Sequence, residues 1–220
     1  MDLASPPCFA HELTETPDGF VATDPEAARD VRRWRKAERQ RLVALRRALP
    51  AAERRRVAAA VAVELDRIVA AVGAAVIGVY WPMRGELDLT GWMRRLDGQG
   101  RRVALPVVER AARPLAFRGW WPGCPMLRGV WDIPVPADGP PLVPDLLVVP
   151  LVGVDDDCYR LGNGGGYYDR TLAAASPRPM AVGVGHPAAG IPTIYPQPHD
   201  IPMDAVVTGE GRVRFRGTGA

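Results

Sequence analysis

Apolar residues recur at helical spacing over residues 23–49, where Val31, Trp34, Leu42, Leu45 and Leu49 fall on one stripe. That period marks a helix packed against a core. Thr23 or Asp24, followed by Pro25 and Glu26, supplies its start, because a side-chain oxygen satisfies free N–H groups and proline tolerates the first turn. Arg35, Arg39 and Arg46 run along one border of the stripe, while Lys36 points away from it. The pattern predicts a second helix over 51–72, stopped by Gly73. After it the period changes. The runs "AAVIGVYW", "RVALPVV", "PLAFRGW", "DLLVVPLVGV", "PMAVGVG" and "DAVVTGE" are short and apolar, as buried strands are, with "LTGWMRRL" reading as a short helix.

Strands alternating with helices predict a single α/β domain whose mainly parallel sheet is covered by helices on both faces. Ligands of such sheets bind beyond the carboxyl ends of the strands, so the loops after Trp81, Val154 and Gly185 are the places to look. Residues 1–22, with three prolines and no periodicity, are expected to form a flexible N-terminal extension, 23–212 the domain, and 213–220 a C-terminal tail. The proline- and glycine-rich stretch from Gly123 to Pro144, which carries Trp131, reads as a long irregular connection.

Composition narrows the function classes. A chain of 220 residues, 47% hydrophobic and 24% charged, is ordinary for a globular protein. A net charge of +3 gives little reason to expect nucleic acid. Lys36 is the only lysine, so guanidinium groups must carry nearly all positive charge. Cys8, Cys124 and Cys158 lack C-x-x-C spacing and are odd in number, which argues against a disulfide framework or a zinc knuckle. A cytoplasmic protein without a signal peptide or membrane span is expected.

One stretch answers to chemistry rather than packing. RLGNGGGYYDR, from Arg160 to Arg170, places glycines at 162, 164, 165 and 166 between an apolar run and a helix-like segment. A bare loop at a helix start offers backbone N–H groups and a positive dipole end to a phosphate. No lysine follows the glycines, so this is not a Walker A loop, and Arg160 is left to supply the charge. Asp169 and Asp200 are oxygen ligands available to Mg²⁺. Glu86, just past a strand end, can accept from an N–H-rich heterocycle, with Trp81 and Trp131 as flat walls. His186 and His199 lack metal-ligand spacing.

With these residues in view, "VPLVGVDDDCYRLGNGGGYYDRTL" resembles the signature of the 5-formyltetrahydrofolate cyclo-ligase family. "VYWPMRGELD", "RVALPVV", "GVWDIPVP" and "PHDIPMDAVVT" follow in that family's order over about residues 30–210. The resemblance implies a Rossmann-like core and an ATP- and Mg²⁺-dependent ligase of one-carbon metabolism. Such an enzyme closes 5-formyltetrahydrofolate to 5,10-methenyltetrahydrofolate and releases ADP and phosphate. It implies ATP contacts from Arg35, Arg39, Arg160, Leu161, Gly162, Asn163, Gly164, Gly165, Gly166, Tyr167 and Tyr168, with Arg160 and Tyr168 catalytic. Trp81, Glu86, Trp131 and the central loop from Asn163 to Tyr167 would face the folate, and Asp169 and Asp200 the magnesium. The implied partners are 5-formyltetrahydrofolate and ATP, for a monomer that engages neither nucleic acid nor membrane. Three residues depart from the pattern: Arg35 stands for a lysine, Asn163 for an aromatic or basic residue, and Gly165 for a lysine of some members. These departures motivate an alternative, a folate- or nucleotide-binding module of the same fold without turnover.

Overall fold

The computed structural model describes residues 13–16, 19–22, 25–211 and 213–217. Its main sheet is built from β3 (Val76–Gly78), β4 (Arg102–Val107), β5 (Ala116–Trp120), β8 (Leu146–Pro150), β11 (Met180–Val184), β12 (Ala205–Val207) and β13 (Val213–Phe215). The strand order is β13-β12-β11-β8-β3-β4-β5. The five inner strands are parallel, and the edge strands β13 and β5 are antiparallel to their neighbours. This is the mainly parallel α/β sheet the alternation predicts.

Both faces of that sheet are buried, which is why its strands read as unbroken apolar runs. Ile77, Val103, Leu105, Leu146, Val148, Val182 and Val207 pack with Val61, Leu65 and Ile68 of α2 (Ala51–Val72). Trp92, Met93 and Leu96 of α3 (Thr90–Gly98) complete that layer. On the opposite face Val76, Ala104, Leu147, Val149, Ala181 and Val206 pack with Leu172 of α4 (Tyr167–Ala174). The long first helix, α1 (Pro25–Ala48), lies elsewhere: Trp34 and Leu42 pack on Val152, Leu161, Ile191 and Ile194, residues that follow the carboxyl ends of β8 and β11. That position aims its arginine border at the loop end of the sheet.

Several expectations are corrected. Leu45 is exposed, and the buried stripe of α1 instead runs through Ala27, Val31, Trp34, Glu38, Leu42 and Arg46. "DLLVVPLVGV" is not one strand: β8 ends at Pro150, which lacks a ladder donor, and β9 (Gly153–Val154) turns away to pair with β10 (Arg160–Leu161). The connection 123–144 contains an antiparallel ladder, β6 (Met126–Arg128) with β7 (Pro134–Pro136), capped by a 3-10 turn at Val130–Asp132. Residues 213–215 of the expected tail are the edge strand β13. Within the expected flexible extension, β1 (Leu13–Thr16) and β2 (Gly19–Ala22) form an antiparallel hairpin, while residues 1–12 lie outside the described part. The Thr23 or Asp24 cap also lies outside it. Helix α2 ends as expected, with Gly73 left-handed at φ 69°.

Candidate active site

Past the carboxyl ends of β3, β4 and β8 opens a cavity of about 490 Å³. Arg35 and Arg39 of α1, Trp81 and Glu86 after β3, Trp131 of the β6–β7 hairpin, residues 160–169 and Asp200 all line it. Every site residue singled out in the sequence therefore meets in one space. The structure adds Tyr80, Met83, Arg84, Pro106, Val108, Leu115, Val130, Ile133, Val135, Pro150 and His199 to its wall. Most of these are apolar residues, in loops or at strand ends, and nothing in their local sequence distinguishes them from core.

The glycine loop emerges from β10 rather than directly from the apolar strand. Asp155 ties the preceding turn: its carboxylate accepts from Tyr159 N at 2.9 Å and from Ile194 N at 3.1 Å. Burial, outweighing those two hydrogen bonds, pushes its pKa up to about 6. Gly164 has φ +99°, a region L side chains rarely adopt. A Cβ on Gly162 would lie 2.2 Å from a guanidinium nitrogen of Arg160, so glycine here makes room for the charge. Among the described residues, none accepts a hydrogen bond from the backbone N–H groups of 162–166. With the N-terminus of α4 they form an anion-binding surface.

Three arginines face this surface in different states. Arg160 is buried, donates to Asp169 Oδ2 at 2.8 Å and stacks 5.3 Å over the Tyr168 ring. Burial drives the Tyr168 phenol well up, so it stays protonated near neutrality and can act as a donor. Arg35 is fully engaged: its Nε donates to Ile194 O at 2.9 Å, one terminal nitrogen to Tyr195 O at 2.6 Å, and both terminal nitrogens to the Asp200 carboxylate. Arg39 has no acceptor among the described residues, and its guanidinium carbon lies 3.5 Å from where a Gly164 Cβ would stand. Burial first, and then the neighbouring charge of Arg35, lower its pKa. Arg39 is thus a cation held against the bare loop with no counter-charge among the described residues.

At the other end Glu86 is buried, with Oε2 accepting from Met83 N at 3.0 Å and Oε1 from Asn163 Nδ2 at 3.1 Å. Asn163 therefore links the glycine loop to the carboxylate across 77 positions of sequence, a pairing no local pattern could disclose. Burial raises the Glu86 pKa, and Arg46 and the hydrogen bonds from Asn163 and Met83 oppose it. Trp131 stands 58% exposed at the hairpin tip, in a left-handed backbone (φ 57°), edge-on to Tyr167 with ring centroids 5.6 Å apart. A bulky residue held at positive φ is an outlier of the kind found at ligand clamps.

Among the described residues no three acidic, histidine or cysteine side chains gather as a metal cage. Asp169 and Asp200 are nevertheless neighbours, since Asp169 Oδ1 accepts from Ile201 N at 3.3 Å. Each also carries an arginine, Arg160 and Arg35 respectively. Mg²⁺ uses one or two carboxylates, keeps water, and takes its other oxygens from substrate phosphates. Two carboxylates beside a loop of unpaired backbone N–H groups fit that donor set.

The sequence model described as the 5-formyltetrahydrofolate cyclo-ligase family matches residues 31–209. The 5-formyltetrahydrofolate cyclo-ligase of Escherichia coli (strain K12) is 34% identical over 139 residues, covering 60% of this chain and 76% of the relative. That of Mycolicibacterium smegmatis is 31% identical over 140 residues, covering 59% and 71%. The solved structure of Aquifex aeolicus 5,10-methenyltetrahydrofolate synthetase matches with a TM-score of 0.73 at 28% identity, over 84% of this chain and 94% of that one. A 5,10-methenyltetrahydrofolate synthetase from Mycoplasma pneumoniae shares the fold, with a TM-score of 0.66 at 21% identity over 80% and 99%.

Proposed function

The chain belongs to the 5-formyltetrahydrofolate cyclo-ligase family, and on that premise we propose that it converts 5-formyltetrahydrofolate to 5,10-methenyltetrahydrofolate at the cost of one ATP. The observation that carries this reading is the shared cavity. A bare loop with free N–H groups and the uncompensated Arg39 lies at one end, and the buried Glu86 lies at the other, joined through Asn163.

In this reading the loop amides, Arg39 and Arg160 hold the triphosphate, while Glu86 accepts from the N–H groups of the pterin and Trp81 and Trp131 flank its ring. The formyl oxygen attacks the γ-phosphorus in line and the bond to ADP breaks, leaving an N5-formimidate phosphate. N10 then bonds to the formyl carbon and loses its proton, and the C–O bond breaks with release of phosphate. Phosphorylation is needed because a bare oxide is a poor leaving group. Protein catalysis here is positioning and charge neutralisation. Arg160, fixed between Asp169 and Tyr168, is aimed at charge on the transferring phosphoryl group, and the protonated Tyr168 phenol is a donor beside it. Asp169 and Asp200 would hold Mg²⁺, which offsets phosphate charge when bound.

No helix among the described residues is long and apolar enough to cross a membrane. Incubating the purified protein with 5-formyltetrahydrofolate, with and without Mg-ATP, tests the reading. Methenyl absorbance that grows only with Mg-ATP supports it. Folate binding by calorimetry without that absorbance would sink it in favour of a binding module.

A further inference from the structure

The third arginine on the border of α1 has no part in the scheme above, yet it is the most deeply placed of the three. Arg46 is 4% exposed, and a guanidinium is rarely buried to that extent without a partner. Its Nε donates to Arg84 O at 2.9 Å, and a terminal nitrogen lies 3.7 Å from Glu86 Oε1. The second distance is too long for a hydrogen bond, and that nitrogen has no other partner among the described residues. The contact is therefore a through-space charge pair in a buried setting, where it is weakly screened.

The turn it grips is unusual. Arg84 and Gly85 both have left-handed backbone, at φ 49° and 78°. Arg46 caps the Arg84 carbonyl, and His186 Nε2 lies 3.2 Å from the next carbonyl, Gly85 O. From inside, Glu86 N donates to Met83 O at 2.9 Å, and Met83 N donates back to the Glu86 carboxylate. The turn is thus clamped from α1 and from the loop after β11, and its one acidic group faces the cavity.

We propose that Arg46 is a positioning residue for the folate end of the site, holding the 84–86 turn by its carbonyl and keeping the Glu86 carboxylate ionised by its charge. This rests on the reading of Glu86 as the folate acceptor. The other groups facing Glu86 do not supply that charge from a buried position. Arg84 is exposed on the turn itself, Asn163 is neutral, and Tyr80 and Tyr168 are phenols whose pKa burial raises. His186 is turned to Gly85 O, and burial lowers its pKa, so it is neutral near pH 7.

The test is calorimetric titration of 5-formyltetrahydrofolate into wild type, Arg46→Met, Arg46→Lys and Glu86→Gln without nucleotide, from about pH 6 to about pH 8.5, with ATP affinity measured alongside. In Arg46→Met the acid-side loss of folate affinity moves to higher pH. Affinity then falls about tenfold at the acid end and recovers toward the alkaline end, with ATP affinity unchanged. Arg46→Lys restores most of the acid limb. Loss of the Arg84 carbonyl contact lowers folate affinity at every pH, so the proposal is overturned if the loss has no added acid-side component, or if ATP shares it. Should Arg46→Met not fold, Arg46→Gln, which keeps a donor but no charge, is read by the same criteria. Unimpaired folate affinity in Glu86→Gln overturns the reading beneath it. Weakened affinity there with an unshifted Arg46→Met limb overturns this inference alone.

Discussion

Arg35 and Arg39 stand one helical turn apart on α1 and face the same cavity, yet their surroundings predict opposite phenotypes when each is changed to methionine. Arg35 spends its donors on Ile194 O, Tyr195 O and the Asp200 carboxylate, tying α1 to the 194–200 loop, and the side chains of the ion pair are only 11% and 10% exposed. Leaving a buried charge without its partner costs about 3 kcal/mol or more, which in a domain of this size lowers Tm by roughly 6–12 °C. Arg39 has no acceptor among the described residues, is half-buried beside the glycine loop, and is further disfavoured by the charge of Arg35. Its removal forfeits no native pairing, so Tm should stay within about 2 °C of wild type. What it forfeits is a charge-assisted contact to phosphate of about 1.5–3 kcal/mol, or roughly a 10- to 150-fold rise in KM for ATP. Differential scanning calorimetry and ATP-dependent methenyl formation at saturating folate provide both readings. The reasoning fails if Arg35→Met melts with wild type, or if Arg39→Met keeps its KM for ATP.

Three further outcomes follow from single sites. Gly162→Ala should lower kcat at least tenfold by displacing the Arg160 guanidinium, which meets a Cβ at 2.2 Å and is pinned by Asp169; rapid-quench kinetics with ATP saturating would reveal an unaffected step if Arg160 is not used. Trp131→Gly should stabilise the fold by about 1 kcal/mol, because glycine adopts φ 57° freely, while raising KM for the folate; chemical denaturation and steady-state kinetics measure the two effects. Asp155 titrates at about 6 in the native state, above its ordinary unfolded value of about 3.9. The native state therefore holds a proton that the unfolded chain lacks between those values, and stability falls as pH rises through that window and then levels. Urea midpoints should show the margin of wild type over Asp155→Asn shrinking from about pH 4 to about pH 6; a constant margin would contradict the burial argument.

The fold was legible where pattern and burial agree. The second helix shows its limits in Ala51, Val72 and Gly73, and the sheet shows its class in apolar runs with helices between them. The glycine motif and its satellites declared themselves because bare backbone flanked by charge has no packing purpose. Pairings across the chain were not legible. The sequence does not show that Arg35 is paired with Asp200, 165 positions away. Asn163 reads as a weak point until it is found donating to Glu86. Arg46 reads only as one of three arginines on the border of the stripe, because a helical period gives an angle around the axis and not the depth of the wall it meets. The hairpin bearing Trp131 was hidden by prolines at 134 and 136, which breach strand propensity and yet sit at its paired edge.

The central claim is that the formyl oxygen is phosphorylated in a cavity whose two ends hold the two substrates. Labelling that oxygen with ¹⁸O and analysing the released phosphate by mass spectrometry tests it most directly. One ¹⁸O per phosphate, appearing with the methenyl product, is the predicted result. Label released into water, with unlabelled phosphate, would contradict the account.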